Sequence, residues 1–136
     1  MNADKTFVDT NILIYAFTID EPDKQAKALK YLDSCQPVIS TQVIKEFSNV
    51  LLKRGNVRQD RIKEIIKEIA EIVWVVNEEV ALIFAAFDIK ERYRFSFYDS
   101  LIVATAVNSQ CKVLLSEDMQ DGQIIDGSLR IINPFH

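Results

Sequence analysis

The sequence predicts an α/β fold, a parallel sheet covered by helices. Short β-branched runs recur along the chain, and the stretches between them repeat apolar residues at helical spacing. With only three glycines and three prolines, nothing reads as a linker, a repeat or a low-complexity tract. Alternation of this kind selects a parallel sheet. Such sheets carry their ligand sites outside the carboxyl ends of the strands, near the point where strand order reverses.

The first strand is "TFV", residues 6–8, and Asp9 follows it directly at the start of "DTN". That position equally suits a turn or helix-cap aspartate. The second strand is "PVIS", residues 37–40, leading into "STQVIKEFSNVLLKR" with Ser40 or Thr41 as N-cap. Val43, Phe47, Val50, Leu51 and Arg54 share one side of this helix, and Lys45, Ser48, Asn49 and Lys53 the other. Glu46 falls on the border, where a solvated helix-face glutamate is the ordinary reading. In "QDRIKEIIKEIAEI" the isoleucines at 62, 65, 66, 69 and 72 mark a helix, followed by the third strand "VWVV", residues 73–76.

"RFSFYDSLIVATAV", residues 94–107, reads as a helix that is apolar nearly all round, with Ser96 as a possible cap and Asp99 near its start. Ile102, Val103 and Ala106 follow Asp99 at three, four and seven residues, so the carboxylate shares their sector. A first-turn aspartate gains only ~0.3 to 1 kcal/mol from the helix dipole. Burying it ionised and unpaired costs several kcal/mol, so it needs a partner, a proton or a cation. The fourth strand "KVLLS", residues 112–116, places Ser116, Glu117, Asp118 and Asp121 at and beyond its carboxyl end. "RIIN", residues 130–133, is the fifth strand.

Composition narrows the chemistry. The 136 residues, 49% apolar, fit one compact domain spanning 1–136. Two cysteines, Cys35 and Cys111, form neither a disulfide framework nor a zinc motif, which points to a reducing cytoplasm. The N-terminal apolar run is broken by Asp9 and Asn11, unlike a signal peptide or a membrane span. The single histidine, His136, lies at the chain end, so histidine acid/base chemistry is not expected. A net charge of −4 argues against broad nucleic-acid binding, though not against a local basic patch. If Asp9, Glu46, Asp99 and Asp118 converge, each like-charge pair ~4 Å apart repels by about 4 kcal/mol at an effective dielectric near 20. Oxygen ligands without thiol or imidazole would then call for a hard ion, Mg²⁺ or Mn²⁺. Such an ion activates water and screens a phosphodiester, the chemistry of a nuclease or phosphatase.

The chain resembles PIN-domain proteins, in particular the VapC-type ribonuclease toxins of toxin–antitoxin pairs. "FVDTNILIYAF", "STQVIKEFSNVLLKR", "FYDSLIVATA" and "LLSEDMQDG" resemble the family's four motifs in order, from Phe7 to about Pro134. The resemblance implies a three-layer αβα fold with a five-stranded parallel sheet, order 3-2-1-4-5. It also implies a Mg²⁺- or Mn²⁺-dependent endoribonuclease in which Asp9, Glu46, Asp99 and Asp118 are metal and catalytic carboxylates. Thr10, Ser116 and Asp121 match polar motif positions around them, while Glu117 adds a charge beside Asp118 that competes for the ligand role. An RNA substrate, a small antitoxin whose C-terminal segment covers the acids, and a homodimer follow from the same resemblance. "KERYRFSFYD" offers Arg92 and Arg94 as phosphate contacts among aromatics that equally suit base stacking or core packing.

Other readings remain. A haloacid-dehalogenase phosphatase needs a second aspartate where this chain has Asn11, and a receiver domain needs one where it has Asn77. The non-catalytic alternative is a PIN-like RNA-binding or interaction module that binds metal without efficient turnover.

Overall fold

The computed structural model describes residues 3–136; Met1 and Asn2, which open the predicted domain span, lie outside the described residues. Strand β1 (Lys5–Val8) leads through helices α1 (Thr10–Phe17) and α2 (Pro22–Asp33) to β2 (Gln36–Ser40). Helices α3 (Thr41–Arg54) and α4 (Gln59–Ile72) then lead to β3 (Trp74–Val76). The chain returns through α5 (Val80–Tyr93) and α6 (Phe97–Asn108) to β4 (Val113–Leu115), and ends in β5 (Ile124–Ile125) and β6 (Leu129–Ile132).

These strands form one sheet in the order β3-β2-β1-β4-β6-β5. Five are mutually parallel, and they reproduce the expected 3-2-1-4-5 order with β6 in fifth place. The departure is β5, a two-residue edge strand antiparallel to β6. Its cause is local: Asp126 and Gly127 both have positive φ, 50° and 71°, and the Ser128 N–H donates to the Ile125 carbonyl at 3.1 Å. An Asp-Gly pair of this kind closes a tight hairpin.

Right-handed crossovers place α1 to α4 on one face and the returning α5 and α6 on the other. The packing agrees: α1 meets α2 and α3, whereas α5 and α6 pack on each other and α6 reaches β2 and β4. Central strands covered on both faces bury most of their apolar residues. Phe7, Val8, Ile39, Leu114, Leu115 and Ile131 are fully enclosed. Helix α6 is buried continuously from Ser100 to Ala106, which explains its lack of a polar face. Among the described residues, no helix is long and apolar enough to cross a membrane.

Candidate functional site

Strand order reverses at β1, whose neighbours β2 and β4 lead away in opposite directions. The chain leaves β1 at Asp9, where the Asp9 N–H still donates to the Leu115 carbonyl at 3.0 Å and so ties the ends of β1 and β4 together. Asp9 then caps α1: its Oδ1 accepts from the Thr10 N–H at 2.7 Å. Its Oδ2 accepts from the Ser116 hydroxyl at 3.0 Å, and Ser116 is itself fully buried at the end of β4.

Two further acids reach this point from other elements. Glu46, on α3, accepts at Oε1 from the Thr10 hydroxyl at 3.4 Å and from Gln42 Nε2 at 3.1 Å, one helical turn back. Asp99 stands in the first turn of α6, its N–H bound to the Ser96 cap hydroxyl at 3.2 Å. Its side chain is half-buried rather than enclosed. The Asp9 carboxyl is pushed up to about 6, first by burial and then by the nearby charges of Asp99 and Glu46, against the lowering influence of the Thr10 and Ser116 bonds. Among the described residues, no cationic side chain figures among the groups acting on it.

The remaining expected residues stand further out. Asp118 is exposed and accepts from Asn11 Nδ2 at 2.9 Å, at the α1 rim. Asp121 accepts from the Asn133 backbone N–H at 2.8 Å, which fastens the loop after β4 to the end of β6. Glu117 is taken up elsewhere: it pairs with Lys24 and accepts from the Tyr15 hydroxyl at 2.7 Å. Partial burial pushes its carboxyl up, but the Lys24 and Tyr15 bonds outweigh this and hold it below the usual range. Arg92 is paired with Asp126, a carboxylate that also accepts from the Tyr93 hydroxyl at 3.0 Å. Arg94, in left-handed conformation at φ 65°, is exposed at the end of α5.

Glu78 escaped the sequence reading. It follows β3, and its Oε1 accepts the Gln42 N–H at 3.1 Å in the first turn of α3. Burial raises its carboxyl, with Glu46 adding to the effect, and its Oε2 is buried without a partner among the described residues. "VVNEE" held the signal, an acid just past a strand's carboxyl end, in the region where ligand sites gather.

The donor set suits a hard divalent ion, because it offers carboxylate and hydroxyl oxygens around Asp9 with neither thiol nor imidazole. Among the described residues, no three His, Cys, Asp or Glu side chains are already gathered into an ion cage. An ion held here would therefore take one or two carboxylates directly and complete its shell with water, the mode Mg²⁺ favours.

The PIN domain family model matches residues 6–120. No curated protein matches the chain. A solved toxin–antitoxin complex from Klebsiella pneumoniae superposes with TM-score 0.72 at 21% identity, covering 95% of this chain and 97% of that one. Mycobacterium tuberculosis VapC20, described as a sarcin–ricin loop cleaving toxin, gives 0.67 at 16% identity over 83% and 91%. VapBC2 from Rickettsia felis, bound to a DNA fragment from its promoter, gives 0.69 at 13% identity over 95% and 99%. At these identities the likeness is one of fold.

Proposed function

This chain belongs to the PIN-domain family, and from that premise we propose that it is a Mg²⁺- or Mn²⁺-dependent endoribonuclease, the toxin of a toxin–antitoxin pair. The observation that carries the reading is that Asp9, both of whose oxygens are held at the β1/β4 switch point by Thr10 and Ser116, shares Thr10 with Glu46 from α3 and lies close enough to Asp99 on α6 to feel its charge, with no basic side chain among its hydrogen-bond partners in the described residues. The solved neighbours support it in kind: one is a sarcin–ricin loop cleaving toxin, and others were solved in toxin–antitoxin assemblies.

In this reading Asp9 and Asp99 hold the ion, with Glu46 beside them and Asp118 at the rim. When bound, the ion supplies an activated water and charge screening for the phosphodiester. The chain's own groups do the positioning. Ser116 and the Thr10 N–H fix both oxygens of Asp9. Thr10 and Gln42 fix Oε1 of Glu46 and leave Oε2, which has no hydrogen bond among the described residues, to ligate or to take a proton from attacking water. Asp121 supports the loop that carries Asp118. The working environment is the reducing cytoplasm, where the free thiols Cys35 and Cys111 persist. The partners are an antitoxin and a second copy of the chain.

The test is purified protein on labelled RNA with Mg²⁺, Mn²⁺ or EDTA. Internal cleavage that requires the ion and disappears in Asp9→Asn and Asp99→Asn is the expected result. RNA binding without cleavage under every condition would replace this reading with a non-catalytic module.

A further inference from the structure

We propose that the open groove between α3 and the first turn of α6 seats one unpaired nucleobase of the substrate on the Tyr98 ring, next to the acid cluster. The groove encloses about 420 Å³ and is lined by Gln42, Lys45, Glu46, Asn49 and Tyr98. Its four α3 residues fall at intervals of three and four, so they form one continuous helix face. Glu46 belongs both to this face and, through Thr10, to the acids around Asp9, so a base in the groove belongs to the nucleotide at, or next to, a phosphate at the carboxylates. The proposal rests on the ribonuclease reading and adds to it where the substrate chain runs.

Three features make the groove a base seat rather than a general cleft. Tyr98 is 64% exposed, although its neighbours in the aromatic run are packed inward: Tyr93 stacks on Phe95, and Phe97 lies against Phe87. An edge contact with Phe97, centroids 5.4 Å apart, steadies the Tyr98 ring. A large aromatic held in place yet left in solvent is a stacking platform, and stacking accepts every base because each has a π-face. Lys45, the cation of the groove, takes no part in the ion pairs of the described residues. A phosphate arriving beside the acids therefore meets Lys45. Asn49 supplies an amide with both a donor and an acceptor for a base edge.

Binding is measured with the full chain, a short single-stranded RNA carrying 2-aminopurine, and EDTA, so that no cleavage intervenes. The parent and Tyr98→Phe are expected to quench the fluorophore. Tyr98→Ala is expected to lose the quench and to bind about five- to a hundredfold more weakly, with thermal unfolding and Mn²⁺ uptake unchanged. Lys45→Gln is expected to reduce the slope of log affinity against log salt by about 0.7. Quenching and affinity in Tyr98→Ala equal to the parent's would overturn the proposal, as would a parent indifferent to single-stranded RNA. The two readings separate cleanly. Cleavage with Tyr98-independent binding removes the base seat alone, whereas Tyr98-dependent binding without cleavage under Mg²⁺ or Mn²⁺ removes the nuclease and leaves the seat.

Discussion

Asp9 is stabilised by two hydrogen bonds and destabilised by burial and by its acidic neighbours, and the second pair of effects wins, since its carboxyl sits at about 6 instead of 3.8. The folded chain thus binds more protons than the unfolded chain between those values. Stability contributed by protonated Asp9 is complete below pH 3.8, falls as pH rises through about 6, and is gone above it. Asp9→Asn removes that loss. Urea denaturation should find the variant more stable than the parent by about 1–3 kcal/mol at pH 7.5, with the gap narrowing as pH falls to 5. Ser116→Ala acts in the other direction: without its bond to Oδ2, the acid limb of the cleavage profile should move up by about one pH unit, read from kcat against pH. The sequence exposed Asp9 and Asp99 because a strand end and an apolar sector are patterns. It hid the engagement of Arg92 by Asp126, 34 residues away, and of Asp121 by Asn133, because nothing local marks such pairs. The apolar sector also overstated the burial of Asp99. Three residues into α6, its side chain sits at the helix's open end, before the enclosed stretch begins at Ser100.

Helix α3 joins the site to the core. Ser40 caps its start, accepting the Val43 N–H at 3.4 Å, and Glu78 reaches across from the end of β3 to accept a second N–H. Val43, Phe47 and Leu51 anchor one face in the core, which leaves Glu46 exposed at the edge, as the stripe predicts. The helix stops at Gly55, whose φ of 71° returns its N–H to the Leu51 carbonyl. A Cβ there meets nothing within 4 Å, so the strain is confined to the backbone. Gly55→Ala should therefore cost about 1–2 kcal/mol and lower the thermal midpoint by a few degrees, with Mn²⁺ uptake unchanged. The five parallel strands and helices α3, α4 and α6 were legible from periodicity, with ends shifted by up to three residues, whereas α1, α2 and α5 were not singled out. Strand β5 was not: two residues carry no alternation, although the Asp-Gly turn beside them was in plain sight.

Across the whole molecule, a doubly wound sheet makes one carboxyl-end crevice from segments that are far apart in sequence, and the acids enter it from β1, α3 and α6. The opposite concern is solvent-facing apolar surface. Val80, Phe84 and Phe87 recur at i, i+4 and i+7 on α5 and are 65%, 67% and 54% exposed. If the proposed dimer forms through this face, its apolar side chains would be covered by the second copy. Phe84→Glu should shift sedimentation from dimer to monomer, and an unchanged sedimentation coefficient would assign the face elsewhere.

In the proposed function Asp9, Glu46 and Asp99 form a centre for a divalent ion, and calorimetric titration of the parent, Asp9→Asn and Asp99→Asn with Mn²⁺ at pH 7.5 reads that centre itself. Saturable uptake by the parent that is lost in both variants is the predicted result. No uptake by the parent, or equal uptake by all three proteins, would contradict it.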